Sequence, residues 1–427
     1  MRRLAACRPL RDHVERCLSA IERAVGPCAS DAPAQRVLEQ VRAVRSCLTD
    51  QVIVEETDLG LGRRLMEALV PGGLAGARGM TVAVRVAPSD AVGGNVCLLL
   101  PVNSSHLVMA VLDASGQGLP VACLSVWAAV ELTRCAFTES HSPRTLLGRL
   151  NSRLLGRPEG RYLRAFAADL DLDLMELTYV NASHCEPLWL RGDRIESVDT
   201  QGLFVGLFED AAYEEKSVQL SEGEGLLFYS DAVVDALRLR AGLVEPAGLL
   251  SLVEDHLKDD AAGLVEAIAV EVLPESGRQH DDVVLLALRC QHIEAKFRSV
   301  VMPSDFSESK RIADAILEHL TLSDFTERAV FATKLALEEA FANAIKHGNK
   351  GDPAKRVHVR YSVCPDRVVI IITDEGPGFD PSAIPDPTAD ERLEIPTGRG
   401  ILLMRAYMND VEYNAAGNQV KLTCLNE

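Results

Sequence analysis

Between Met80 and Cys290 the apolar residues fall into short runs of β type, TVAVRVA, VCLLLPV, HLVMAVLD, LRAFAADLD, GLLFYSD and VVLLALRC. Among the aspartates at their ends are Asp113 after LVMAVL, Asp231 after GLLFYS, and Asp281-Asp282 before VVLLAL. Carboxylates at strand ends far apart in sequence can converge on one edge of a sheet, where hard cations would hold and activate a water. Taken singly, each is more simply a turn residue that ends a strand. Two longer helical stretches, near 119–137 and 143–155, make the region a mixed α and β domain.

The chain has 427 residues, room for two or three cores. After Cys290 a second domain starts, with the order strand, helix 307–320, helix 324–347, strands VHVRYSV and RVVIIITD, a Gly and Pro loop, helix 399–408, and strands VEYN and QVKLT. Upstream, Leu38, Val41, Val44, Leu48 and Val52 recur at helical spacing, and Leu61, Leu65 and Leu69 continue it over 34–69 until Val70-Pro71-Gly72-Gly73. With fewer than four clean heptads, this helix is expected to pack on its own domain, a homodimer through a coiled coil being the alternative. The expected division is 1–70, a helical segment; 71–292; and 293–427. The expected class is α/β multi-domain (α+β).

Charge narrows the partners. The formal net charge is -18, and residues 66–290 carry 17 basic against 32 acidic side chains. Such a chain repels a phosphate backbone, so no nucleic-acid partner is expected. The 11 cysteines include no Cys-x-x-Cys pair, which argues against a zinc site or a disulfide framework and suits a reducing cytoplasm. No signal peptide is read at the start, and no window reaches the length of uncharged apolar sequence a membrane span needs, so no membrane association is expected.

Chemistry is most legible in LALEEAFANAIKHGN, where Glu339, Asn343 and His347 at i, i+4 and i+8 share one helix face. An amide oxygen can complete a magnesium shell that includes phosphate oxygens, and a carboxylate one turn earlier can orient or deprotonate a hydroxyl. Asp374-Glu375-Gly376-Pro377-Gly378-Phe379 follows the apolar run VVIIIT. A carboxylate there can accept a hydrogen bond from an adenine amino group, and glycines admit close backbone approach. Thr397-Gly398-Arg399-Gly400 then opens the helix ILLMRAYM, whose N-terminal amides suit a triphosphate. Each motif alone has a plainer reading as a solvated helix face, a polar turn or a helix start. Together and in this order they form a joint signal.

On these residues, the stretch 298–427 resembles the GHKL ATPase superfamily, and within it the anti-sigma-factor serine kinases of bacterial partner switching. The resemblance implies a histidine-kinase-like α/β sandwich binding ATP and Mg2+. It puts Glu339 in the general-base position, Asn343 on magnesium, Asp374 on adenine, and Gly376, Gly378, Gly398, Arg399 and Gly400 in the nucleotide loops. The segment between Phe379 and Thr397 is short for a lid, as in the small kinases of this group.

Residues 56–290 resemble the metal-dependent PPM-type serine/threonine phosphatases of the stage II sporulation E branch through PSDAVGGN, DASGQG, NASH, LFYSDAVVDA and HDDVVLL. The resemblance implies a β-sandwich flanked by helices. Asp113 would bridge two Mn2+ or Mg2+ ions, the Ala114 carbonyl would bind one, and Asp231 and Asp281 would hold the other. The sequence departs from the pattern: Gly93-Gly94-Asn95 stands for Gly-Gly-Asp, Leu98 for an aspartate, Ser115-Gly116-Gln117-Gly118 for Ser-Gly-His-Gly, and Ser230-Asp231-Ala232 for Ser/Thr-Asp-Gly. A neutral amide is a poorer ligand for a hard dication. One metal position is thus expected to serve and the other to be impaired, with weak phosphatase activity at high manganese that Asn95→Asp would raise.

The two resemblances together imply a cytoplasmic partner-switching regulator, a protein serine kinase joined to a metal-dependent phosphatase. Its partners would be a STAS-type anti-sigma-factor antagonist and a sigma factor. Two alternatives stand beside this: an ATP-dependent sigma-factor-binding protein with a non-catalytic phosphatase-like scaffold, and an ATP-regulated phosphatase without kinase activity.

Overall fold

The computed structural model describes residues 18–23, 35, 38, 39, 41, 42, 79–89, 93–103, 105–116, 119–155, 161–198, 202–241, 247–273, 281–290, 297–379 and 399–427. The chain divides into two compact units, Met1–Ile293 and Glu294–Glu427.

The first unit contains two five-stranded antiparallel sheets. One has the order β1 (Met80–Ala87), β10 (Val283–Cys290), β9 (Gly225–Tyr229), β6 (Leu188–Arg191), β7 (Arg194–Ser197); the other has β2 (Asn95–Pro101), β3 (His106–Ala114), β4 (Leu163–Asp171), β5 (Glu176–Ala182), β8 (Lys216–Gln219). Side chains alternate across a strand. In β3, Leu107, Met109 and Val111 join the core that contains Phe166 and Phe228, while Val108, Ala110 and Leu112 join Trp127 and the helix layer. Both faces are covered, which is why β3 reads as an unbroken apolar run. Helices α1 (Leu119–Thr138) and α2 (Pro143–Leu154) cover one sheet. Helices α3 (Asp231–Ala241), α4 (Ala247–Asp255) and α5 (Ala261–Val272) cover the other.

Helix α1 corrects one expectation. Its stretch Pro120–Thr138, with mean hydropathy 1.3, is long and apolar enough to cross a membrane, yet 78% of it is buried inside the unit. Its charge is internal: Glu131, 1% exposed, pairs with Arg134 and Arg153. Of the helix read over 34–69, Leu38 and Val41 are buried in the same cluster as Trp127, together with Leu18 and Ile21. The other periodic positions lie outside the described residues.

The second unit is a single antiparallel sheet, β11 (Arg298–Pro303), β12 (Arg356–Cys364), β13 (Arg367–Asp374), β15 (Gln419–Leu425), β14 (Asp410–Tyr413), in that order. Helices α6 (Phe306–Leu322), α7 (Glu327–Ala342) and α8 (Arg399–Tyr407) pack on it through Ile316, Leu337, Ile370 and Met404. Asp305 caps α6, and Thr326 caps α7 by accepting from the Ala329 amide. The helix expected to run unbroken to 347 stays α-helical only to Ala342 and closes in a π-helical turn, Asn343–Gly348.

Candidate functional sites

In the first unit the register sets the site. Asn95 on β2 pairs with Asp113 on β3, which pairs on its other side with Arg164 on β4. Directly opposed residues share a face of a sheet, here the face with Cys97, Val111 and Phe166 that meets the second sheet. Asp231 opens α3 after β9, and Asp281 precedes β10. The three predicted aspartates therefore meet at one end of the sandwich. Burial pushes the Asp113 carboxyl up to about 6; Arg164 opposes the rise, and the Asp231 and Asp281 charges add to it.

What joins them is Arg164. Its guanidinium forms ion pairs with Asp113 through Nη2 and with Asp231 through Nη1, the latter at 2.6 Å. Burial works against its charge, but Asp113 and Asp231 outweigh that and hold its pKa above the usual value. Asn95 is buried, and its Nδ2 donates to the Asp282 carbonyl at 3.4 Å. The Asp282 carboxylate accepts from the amides of Ser89 (2.8 Å), Gly94 (2.5 Å) and Asn95 (3.2 Å) and from the Ser89 hydroxyl (3.0 Å). It anchors the Gly93-Gly94-Asn95 loop. Ala114 is buried at the end of β3.

The pair of divalent ions implied by the resemblance does not fit this donor set. The Asp113 and Asp231 carboxylates are engaged by one guanidinium, Asp281 accepts from the Asp282 amide at 2.8 Å, and Asp282 has its oxygens taken by the loop. Leu98 also corrects the expectation that it replaces a ligand. An offset of three from Asn95 puts it on the opposite face of β2, 3% exposed in the helix-layer core, so an acid there would enter apolar packing. Gln117 and Gly118 lie outside the described residues. Nearby, burial lowers the His184 pKa to about 4 and raises that of Cys185 to about 11.

The second unit brings its predicted residues together from three elements. Glu339 lies in the last turns of α7, and Asn343 follows one turn later with its buried Nδ2 lacking a hydrogen-bond partner. A Cβ on Gly400, at the start of α8, would overlap the Glu339 carboxylate. Asp374 ends β13; burial raises its pKa, while the Gly376 amide and the Lys355 charge oppose that rise. Its Oδ1 accepts from the Gly376 amide at 2.8 Å. Cβ atoms on Gly348 and on Gly376 would both strike Asp374, so the end of the π turn and the strand-end loop meet at that carboxylate. An orphaned amide donor, a carboxylate against a helix start and a glycine-lined strand end fit the hydrogen-bonding oxygens and the base of a nucleotide.

One position differs from expectation, and a second carries a packing role that its motif does not show. His347 is exposed. The wider π turn advances less per residue than an α-helix, so it does not continue the Glu339–Asn343 face. Gly378 has φ 72°, and its Cβ would overlap the Ala416 carbonyl, where Phe379 N donates at 3.1 Å. Its glycine is thus required by packing on the β14–β15 turn. Gly398 and the Arg399 side chain lie outside the described residues. Sequence reasoning missed Asn349, 1% exposed, which donates to the Arg356 carbonyl and accepts from the Glu375 amide. It also missed Arg164, whose signal was a basic residue inside the apolar run LRAFAADLD.

The fold and the two sites define a phosphatase-type sandwich and a histidine-kinase-type ATPase carried on one chain. The family model of stage II sporulation protein E matches residues 103–291, and that of the histidine kinase-like ATPase domain matches residues 302–424. Phosphoserine phosphatase RsbU of Bacillus subtilis (strain 168) is 26% identical over 186 residues, 42% of this chain and 55% of its own length. Serine-protein kinase RsbW of the same organism is 33% identical over 119 residues, 24% of this chain and 73% of its own. The solved RsbU and RsbW domains of Rv1364c from Mycobacterium tuberculosis cover 84% of this chain and 94% of that structure, at 18% identity and TM-score 0.41. The chain spans about half the length of RsbU. The chain carries a SpoIIE-type phosphatase domain and a histidine kinase-like ATPase domain, and the ATPase domain belongs to the RsbW family.

Proposed function

We propose that residues 293–427 bind ATP with a divalent cation and transfer the γ-phosphoryl to a serine of a small STAS-fold antagonist, alternating with sequestration of a sigma factor. The chain would act in the cytoplasm as a partner-switching regulator, with 1–70 as a helical segment and 71–292 as the phosphatase-type domain. The observation that carries this reading is Glu339 set against Gly400, one turn before the unpartnered amide of Asn343.

Asp374 would accept a hydrogen bond from the adenine amino group, and Asn343 would hold the cation through its amide oxygen. Magnesium, when bound, neutralises charge on the phosphates. Glu339 would orient the serine hydroxyl and take its proton as the oxygen attacks the γ-phosphorus and ADP leaves. The names and activities of the RsbU and RsbW relatives support this pairing. One alternative gains support from the ion pairs of Arg164, that of a central domain acting as a non-catalytic scaffold.

The test is to incubate the purified full chain with antagonist, radiolabelled ATP and magnesium. Phosphoserine should form on the antagonist with the wild type and not with Glu339→Ala, while both bind ATP. Equal rates for the two would overturn the assignment of Glu339.

A further inference from the structure

The row Asn95, Asp113, Arg164 crosses three adjacent strands, and its members are fixed to one another by backbone register. Arg164 is therefore delivered to Asp113 by the sheet itself, and its reach to Asp231 closes the gap between the two sheets at this end of the sandwich. The guanidinium has a separate nitrogen for each carboxylate, a planar fork that suits two acceptors better than an ammonium would. Its side chain is 33% exposed, so the pairs are only partly screened by solvent.

We infer that Arg164 is a built-in cation standing where a bridging metal ion would bind, so that the central domain is a metal-independent, non-hydrolytic member of its fold. The inference concerns this domain alone and holds whether or not the ATPase domain phosphorylates a partner. Three observations carry it. Asp113 and Asp231 already share one positive charge. Asn95 supplies no charge to the row, and its Nδ2 donates to the Asp282 carbonyl. The Asp282 carboxylate is used up by four donors of the Ser89 and Gly93–Asn95 segments. A dication bound by Asp113 and Asp231 would lie within a few ångströms of the guanidinium, and like charges at that separation repel strongly where water is partly excluded. One consequence is a place in a reaction sequence: removal of phosphate from a serine this chain phosphorylates must be supplied by a separate phosphoserine hydrolase.

Nucleotide-free full-length protein, titrated with manganese in a calorimeter, tests this. Wild type and Asp113→Asn should give the same isotherm, and wild type should release no phosphate from a phosphoserine peptide in manganese. Arg164→Met should gain a manganese site roughly 100-fold tighter than any in the wild type, and that site should vanish in Arg164→Met/Asp113→Asn. Wild-type manganese binding that Asp113→Asn abolishes would overturn the inference. So would a folded Arg164→Met that gains no site. Should Arg164→Met not fold, the comparison of wild type with Asp113→Asn decides, backed by the wild-type melting temperature with manganese and with chelator, which should coincide.

Discussion

The carboxylate of Glu339 lies so close to Gly400 that a Cβ on the glycine would overlap it. The end of one helix thus meets the start of another at the atom proposed to take the serine proton. Gly400→Ala should push the Glu339 side chain aside without disturbing backbone, since the overlapped atom is the far end of a flexible side chain. Misplacement of about an ångström costs roughly 100-fold in rate. Phosphoryl transfer should fall by about that factor, with ATP affinity changed far less, as read by single-turnover kinetics and calorimetry on the same preparation.

Asp374→Asn should weaken ATP binding. The amide oxygen can still accept from Gly376, but the charged acceptor proposed for adenine is gone. A charge-assisted hydrogen bond is worth about 1.5 to 3 kcal/mol, so affinity should fall roughly 10- to 150-fold. Unchanged affinity in calorimetry would remove Asp374 from the nucleotide site.

Gly378→Ala separates a packing role from a nucleotide role. With φ 72° and the Ala416 carbonyl in the way, the alanine should cost about 2 kcal/mol or more before any nucleotide is added. Scanning calorimetry of the nucleotide-free chain should show a lowered transition for the second unit. An unaltered transition with lost ATP binding would return Gly378 to the nucleotide loop.

Much of both domains was legible because strands buried on two faces, such as β3 and β13, read as plain apolar runs, and because β13 ends where Asp374 stands. What was not legible came from register and from backbone geometry. Spacing alone could not show that Arg164 faces Asp113, because pairing between β3 and β4 spans the two helices that separate them. The face of Leu98 followed from period-two alternation, which the family pattern obscured. His347 fell off its helical face because the chain switches to a π turn at Asn343, and no residue pattern in LALEEAFANAIKHGN announces that switch.

His184 should make the first unit labile to acid. Burial holds its folded pKa near 4, against 6.5 for an ordinary imidazole. As pH falls below about 6.5 the unfolded chain takes up this proton first, so stability present above 6.5 is lost progressively down to about pH 4, by roughly 3 kcal/mol in all. Asp113 acts in the opposite sense: its carboxyl, raised to about 6, makes stability fall as pH rises from about 4 to 6. His184→Gln should remove the first slope and leave the second. Both tryptophans, Trp127 and Trp189, lie in this unit, so fluorescence-detected urea unfolding of the whole chain between pH 4 and 7.5 reads it selectively. A variant whose stability keeps the wild-type dependence on pH would show that His184 is not the titrating group.

Asn95→Asp, which the family pattern recommends as a restoring change, should instead do harm. Asn95 is 5% exposed, and its Nδ2 donates to the Asp282 carbonyl. A carboxylate there loses the donor, faces a carbonyl oxygen, and stands opposite Asp113 across the β2–β3 pair, where like charges repel. The cost should be roughly 2 to 4 kcal/mol in the tryptophan-detected transition. Manganese should not recover it, because Arg164 still holds Asp113 and Asp231. Adding Arg164→Met to Asn95→Asp should make stability depend on manganese, since four carboxylates would then converge with no fixed cation among them. If Asn95→Asp alone raised the release of phosphate from a phosphoserine peptide in manganese, Arg164 would have to yield its place to the ion, and the central domain would be a working phosphatase impaired only at residue 95.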